Sequence, residues 1–381
     1  MKKGWPTVPL GELCDVLDNK RKPITKRDRE TGEYPYYGAT GIKDYVSGYI
    51  FDEPLVLVGE DGAKWASGDQ TAFAVEGKCW VNNHAHVLRP HRTRLIDNWL
   101  IHFFFYSDLS EFVSGLTVPK LNQGNLREIP IPLPPLAEQQ RIVGLLDEAF
   151  DGLATAKANA EKNLQNSRAL FESHLQSVFT QRGPGWVETT IGEVANVFDG
   201  PHATPKTVDA GPVFLGISAL QDGKINLGET RHVTPEDFRH WTRRVKPQVE
   251  DVVFSYETRL GQAAIIPHGL ECCLGRRMAL VRPNRKRLDP RFFVYQYISP
   301  PFRAFLDSKT VRGATVDRIA LKEFPSFPIS LPKLDEQEQM ADQFESLREE
   351  TQRLARLYER KQAALEALKK SLLHQAFTGE L

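Results

Sequence analysis

The chain has 381 residues, 41% of them hydrophobic, and 49 Lys and Arg balance 49 Asp and Glu. That length buries more than one core and predicts two or three domains, while no apolar run reaches the 18 residues expected of a membrane span. Cys14, Cys79, Cys272 and Cys273 form no CxxC pair, and no apolar stretch follows Met1-Lys2-Lys3-Gly4-Trp5-Pro6, so a reduced, cytoplasmic protein without structural zinc or secretory signal is expected.

Residues 1–136 carry 16 Lys and Arg against 17 Asp and Glu and read as a mixed α/β head. A basic run, Lys20-Arg21-Lys22 with Lys26-Arg27, precedes Tyr34-Pro35-Tyr36-Tyr37-Gly38-Ala39-Thr40-Gly41. With Lys43, that loop offers stacking faces (Tyr36, Tyr37), a hydroxyl (Thr40) and close backbone approach. Apolar spacing predicts strands over 54–59, 71–75 and 78–88, then a helix over 98–114. Lys64 sits on a tight turn, and Lys120, Asn122 and Gln123 close the head. His84 and His86 with Cys79 lack a fourth converging ligand, so no metal site is expected there.

A Pro-rich exit then leads into a long helix over 137–180, and the same plan recurs later. Pro130-Ile131-Pro132-Leu133-Pro134-Pro135-Leu136-Ala137-Glu138-Gln139 reappears, offset by 198, as Pro328-Ile329-Ser330-Leu331-Pro332-Lys333-Leu334-Asp335-Glu336-Gln337. Ser173, Leu175, Phe179 and Thr180 likewise become Ser371, Leu373, Phe377 and Thr378, so a second long helix is expected over 335–381. An internal repeat governs every later reading. Apolar residues recur every 3.5 positions: Ile142, Ala149, Ala156, Asn163 and Leu170 with Leu146, Leu153, Ala160 and Ser167 in the first helix. The second has Met340, Leu347, Leu354, Lys361 and Leu368 with Phe344, Thr351, Tyr358 and Leu365. Heptads this long predict an antiparallel coiled coil of the two copies, each helix spanning roughly 60 Å. Asn163 and Lys361 share one heptad position and are candidates to fix register or to face water. Apolar residues outside the narrow seam, Leu357 and Leu372 among them, suggest that another protein adds helices; a seam that is simply wide is the alternative.

The second head, 181–334, carries 22 Lys and Arg against 16 Asp and Glu, a balance that suits a polyanion. Strands are predicted over 251–256, 263–267 and 272–281 and a helix over 290–306, in the order of the first head. In that shared frame Gly275-Arg276-Arg277 stands opposite Asn82-Asn83-His84. Asn pairs with adenine and Arg with guanine in the major groove, so different donors in one frame suit two readers of different sequence. A plain turn and a solvated arginine pair are the alternative. His202, Lys206, Arg231, His232, Arg243, Arg244, Arg259 and Arg312 join them as candidate DNA contacts, a set that favours phosphate.

No G-x-x-x-x-G-K-[ST] is present, no Asn or Asp precedes a Pro-Pro-aromatic triplet, and Phe214-Leu215-Gly216-Ile217-Ser218 matches no cofactor loop. No catalytic centre is expected. The repeated head-plus-helix plan, the Pro-rich exit with Glu138-Gln139, the preceding Leu121-Asn122-Gln123-x3-Leu126, Tyr37-Gly38-Ala39-Thr40-Gly41-Ile42 and the terminal Phe377-Thr378-Gly379-Glu380-Leu381 together resemble the specificity subunit of type I restriction–modification systems. The resemblance spans essentially the whole chain. It implies an α+β fold with a pseudo-twofold internal repeat, in which two target recognition domains each read half of a split double-stranded DNA site. The two helices would set the gap and dock two modification subunits, through residues such as Leu146, Leu153, Leu170, Phe344, Leu354, Leu357, Leu368 and Leu372. S-adenosylmethionine and adenine N6 methylation would belong to those subunits, and ATP and Mg to restriction subunits, leaving this chain non-catalytic, without cofactor, metal or membrane contact. A recognition module of a related enzyme without ATP-driven translocation, or a DNA-independent coiled-coil scaffold, are the other readings.

Overall fold

A computed structural model describes residues 5–115, 117–313 and 316–381. Met1–Gly4, and with it most of the N-terminal stretch considered above, lies outside the described residues. The chain forms two compact units, 1–161 with 359–381, and 162–358. Each unit contains one head and one half of each long helix.

In the first unit, strands Cys14–Val16, Ala85–Pro90, Leu55–Gly59 and Ala72–Val75 lie in that order in an antiparallel sheet. A second sheet runs Gly41–Val46, Thr31–Gly38, Lys78–Val81, Phe51–Asp52, its middle pair parallel. The continuous apolar run Leu55-Val56-Leu57-Val58 follows from burial on both faces of the first sheet. Val56 and Val58 join the core formed with Trp99, Leu100 and Phe104, whereas Leu55 and Leu57 join Phe51, Cys79, Val81 and Val87. The second unit repeats the order with Ala195–Asp199, Met278–Pro283, Val252–Ser255 and Ala263–Ile265. Its other sheet pairs Val208–Leu215 with Cys272–Leu274 in parallel.

Three expected elements divide. Residues 78–88 are two strands in different sheets, and the chain crosses between them at Asn82-Asn83-His84. The Asn82 side-chain oxygen accepts from the His84 backbone amide at 2.8 Å, and the Asn82 backbone amide donates to the Tyr37 carbonyl at 3.0 Å. Residues 272–281 divide likewise at Gly275-Arg276-Arg277. There the Gly275 amide reaches the Leu215 carbonyl at 2.7 Å, and a Cβ would stand 2.3 Å from that oxygen. The helix over 290–306 becomes Pro290–Ile298 and Pro300–Ser308, because Ser299 precedes a proline and takes extended geometry (ψ 148) while capping the second piece. In the first head the corresponding helix is Asp97–Tyr106, shorter than 98–114.

The long helices run Leu136–Gln181 and Leu334–Thr378. Ile142, Val143 and Leu146 share the first unit's core with Leu373, Ala376 and Phe377, while Leu175 and Phe179 share the second's with Ala341 and Phe344. In each unit the start of one helix meets the end of the other, so the packing is antiparallel. The heptad seam slips midway, as a straight helix of 3.6 residues per turn drifts against a 3.5 repeat. Leu164 and Phe171 turn inward, leaving Asn163 and Leu170 exposed, and Lys361 and Leu368 are exposed in the second helix. Neither Asn163 nor Lys361 therefore fixes register from within a seam.

The repeated glutamines explain the repeated motif. Gln139 is fully buried, donates to the Arg94 and Pro134 carbonyls at 2.8 Å each and accepts the Ile96 amide at 3.0 Å. Gln337 makes the same three bonds, to Arg287 at 3.1 Å, Pro332 at 2.9 Å and the Asp289 amide at 3.0 Å. Each fastens the first turn of a long helix to the loop that starts its head's own helix. The far ends are held by aromatics: Phe377 stacks on Tyr106 and lies 4.7 Å from Trp99, and Phe179 lies 5.4 Å from Phe292. Trp5 donates to the Ala376 carbonyl at 2.9 Å, tying the beginning of the described chain to its last helix.

Candidate nucleic-acid interface

In the first head three separate segments meet beside the sheet crossing: the end of strand Leu55–Gly59, the Asn82–His84 turn and the stretch around Lys120. The Glu60 amide donates to the His84 carbonyl at 2.9 Å, the Leu121 amide donates to the Glu60 carbonyl at 2.8 Å, and Asp61 bridges Lys120 in antiparallel pairing. His84 pairs with the Asp61 carboxylate. Beneath them lies a polar cluster. His86, fully buried, bonds Asp18 at 2.6 Å and the Leu121 carbonyl at 2.7 Å. Burial pushes the Asp18 carboxyl up, but bonds from His86, the Val87 amide and Arg21 outweigh it and hold it below the usual range. Glu60 is paired with Arg21 and, at 2.8 Å, with Lys120, whose ammonium that bond holds above its ordinary value. Asp18, Glu60 and His86 donors lie within 4.8 Å of one another, a spacing a cation could use. Arg21 and Lys120 already neutralise both carboxylates, so the cluster is an ion-pair network that positions the surface above it.

The second head ties the same three segments with the same backbone bonds. The Tyr256 amide donates to the Arg277 carbonyl at 3.2 Å, the Ile319 amide to the Tyr256 carbonyl at 2.9 Å, and Glu257 bridges Arg318. Arg277 pairs with Glu257 at 2.9 Å, where His84 pairs with Asp61. Two clefts flank this knot. One of about 310 Å³ is lined by Thr204, Ser218, Glu229, Arg231, Arg276 and Arg277; the other, of about 490 Å³, collects His202, His240, Trp241, Arg243 and Arg244. Cations distant in sequence are thus brought together twice.

Not every candidate reaches a surface. Tyr36 is 1% exposed, with its hydroxyl on the Ile24 backbone and Arg29 over its ring, so it offers no stacking face. Asn82 is buried and spends its side chain on the turn, the plainer of its two readings. Tyr37 is half-buried against Phe73, and Lys43 rests on Thr40 at 3.0 Å at the tip of its hairpin. Asn122 caps the helix Gln123–Glu128. Arg259 is spent on the Ile217 and Ser218 carbonyls, Arg312 pairs with Asp307, and His202 and Arg244 face Asp199. His232 bonds the Gly211 carbonyl. Lys64, Asn83, Lys206, Arg231, Arg243 and Arg276 are exposed. Among the helix residues, Leu146 and Phe344 are each 1% exposed and belong to the cores, so they dock nothing. Leu153, Leu354 and Leu372 are half-buried, while Leu170, Leu357 and Leu368 are 44–49% exposed. Arg318, Asp61 and Glu257 escaped the sequence reading. The signal existed, since Arg318 lies 198 residues after Lys120, the offset of the helix repeat. All four cysteines are buried, and burial pushes the thiols of Cys14, Cys272 and Cys273 up to about 12 and that of Cys79 to about 11, the environment of structural cysteines. No helix among the described residues is long and apolar enough to cross a membrane.

Comparison with known proteins agrees with this architecture. The family described as type I restriction modification DNA specificity domain matches twice, over residues 2–164 and 184–361. The Haemophilus influenzae specificity subunit S.HindORF215P is 40% identical over 139 residues, a match that covers 36% of each chain. The Methanocaldococcus jannaschii MjaVIII specificity subunit is 22% identical over 403 residues, covering 99% of this chain and 93% of its own. In fold, the chain is similar to the HsdS subunit from Thermoanaerobacter tengcongensis, with a TM-score of 0.62, 20% identity and coverage of 100% and 98%. A chain solved in a study of complex assembly and conformational transition of the type I R-M system gives a TM-score of 0.71 at 20% identity, with both chains fully covered. With both of its repeats matched by one family, this chain belongs to the specificity subunits of type I restriction–modification systems.

Proposed function

We propose that the chain reads a bipartite double-stranded DNA target and docks two adenine-N6 methyltransferase subunits, without catalysing a step itself. Heads 1–136 and 181–334 are the two target recognition domains, and helices 137–180 and 335–381 are the spacer whose length sets the gap. S-adenosylmethionine, ATP and Mg belong to the modification and restriction subunits of the complex, which works in the cytoplasm. The observation that carries this reading is one backbone knot, built twice, bearing Asp61, His84 and Lys120 in one head and Glu257, Arg277 and Arg318 in the other. A shared frame with different donors is what two readers of unrelated half-sites require. Docking is assigned to the outside of the helices, where Leu170, Leu357 and Leu368 are exposed and free to meet a further helix. The test is to map methylated adenines in cells carrying the chain with its own modification subunit. Two unrelated short half-sites separated by a fixed run of unread bases are expected. One continuous site, or methyl transfer by the isolated chain, overturns the proposal.

A further inference from the structure

We infer that Glu257 and Asp61 are positioning residues for base reading, each aiming one donor side chain, Arg277 in the second head and His84 in the first. Arg277 reads a guanine of the second half-site. This rests on the DNA-reading role proposed above and assigns its specificity to particular residues.

The argument begins with the backbone. Three equivalent connections join the same segments in both heads, so the positions of His84 and Arg277 relative to the sheet are set by the fold. What differs is side-chain chemistry at corresponding places: Glu60 against Tyr256, Asp61 against Glu257, His84 against Arg277 and Lys120 against Arg318. In both heads the acid follows the end of the central strand and pairs with the turn residue.

The second head adds strain. Arg277 has φ +72 and Thr258 has φ +70, both left-handed, and a β-branched residue in that region is a true outlier. The two touch: an Arg277 Nη1 donates to Thr258 Oγ1 at 3.3 Å. An ion pair that served only stability would need neither distortion, and glycine would relieve both. Glu257 pairs with the buried Nε at 2.9 Å without a hydrogen bond, Thr258 accepts from Nη1, and Arg277 lines the cleft of about 310 Å³ beside Arg231 and Arg276. A guanidinium held at Nε and Nη1 beside a cationic cleft suits the O6 and N7 acceptors of guanine, while Arg231 and Arg276 suit the flanking phosphates. Arg318, exposed and paired to Glu257 only through the backbone bridge, falls with the phosphate contacts.

The experiment maps methylated adenines for the full chain assembled with its modification subunit, as wild type and as Glu257→Gln, Glu257→Asp, Arg277→Ala, Thr258→Gly and Arg318→Ala. Glu257→Gln and Arg277→Ala are expected to lower preference at one guanine of the second half-site roughly tenfold or more, leaving the first half-site intact as an internal control for folding. Glu257→Asp restores most of the preference. Thr258→Gly relaxes the same position without lowering the melting temperature. Arg318→Ala weakens modification at every site without changing the sequence read. A bipartite wild-type site with the second half unchanged in Glu257→Gln, or both halves degraded equally, overturns this inference alone. A continuous wild-type site overturns the DNA-reading proposal and this inference with it.

Discussion

Replacing Gln139 with alanine tests whether the long helices are fastened to the heads by the buried glutamines. The side chain is fully buried, and its removal strands three backbone groups: the Ile96 amide and the Arg94 and Pro134 carbonyls. A buried group left unpaired costs about 1–3 kcal/mol. Carbonyls retain a second lone pair and fare better than the amide, so the lower end applies and the sum is about 3 kcal/mol. For a unit of this size each kcal/mol moves the melting temperature by about 2–4 °C, which gives a drop of roughly 6–12 °C. Gln140, exposed on the same turn, should cost less than about 0.5 kcal/mol as alanine. The assay is thermal unfolding by circular dichroism together with amide hydrogen exchange. The Ile96 amide should lose protection in Gln139→Ala while the Asp289 amide, held by Gln337, keeps it. Gln337→Ala should show the reverse pattern. A loss below about 1 kcal/mol with Ile96 protection unaltered would refute the reasoning.

Acid should loosen the first unit through Asp18. Its folded carboxyl lies below the usual range, so its contribution is complete above the unfolded value of about 3.9 and is lost as pH falls through the folded value; Asp18→Asn should flatten this acid limb, as read by unfolding at pH 2–7. The four cysteines should resist a thiol reagent at pH 8 in the native chain and all react after denaturation, since burial pushes each thiol to about 11 or 12. Leu170→Lys with Leu357→Lys should leave stability within about 0.5 kcal/mol, both side chains being exposed, yet abolish co-purification of the modification subunit; retained co-purification would place docking elsewhere.

Much of the architecture was legible because it depends on period and repetition. The 3.5-residue spacing marked both long helices, and the apolar run Leu55-Val56-Leu57-Val58 marked a strand, whose burial on both faces the structure then showed. The breaks were harder to read, for physical reasons that differ. Pro300 announced the division after Ile298, since the residue before a proline leaves helical geometry. The crossing at Asn82–His84 gave no such signal: 78–81 and 85–90 are each good strands, and only the tertiary fold assigns them to different sheets. The interface was legible as a composition and not as a set of contacts. Lysines and arginines could be counted, but whether each is spent inside the protein, as Arg259 is on two carbonyls, depends on partners about 40 residues away. Tyr36 misled for the same reason, since an aromatic in a polar, basic loop looks exposed until its hydroxyl is found on the Ile24 backbone.

The gapless repeat of the helices has a mechanical cause. Each long helix is anchored at both ends by buried side chains, Gln139 and Phe179 in the first, Gln337 and Phe377 in the second, and the interval is 40 residues in both. With 3.6 residues per turn, deleting one residue between the anchors rotates everything beyond it by about 100°. Phe377 would then leave the pocket of Trp99, Phe103 and Tyr106, or Gln337 would leave its three backbone partners. A whole heptad taken from both helices together turns the far ends by only about 20° while shortening each helix by about 10 Å, so both sets of anchors can be kept. The heads face no such constraint. Their corresponding positions are offset by 181 at the first strand, 196 at the central strand and 193 at the crossing, so loops between strands have gained and lost residues while the strand order stayed the same. Variation in loop length is compatible with different side chains on one backbone knot, whereas fixed helix length is what a spacer demands. The drifting offsets in the heads and the single offset in the helices are thus what the proposed division between reading heads and a spacer requires.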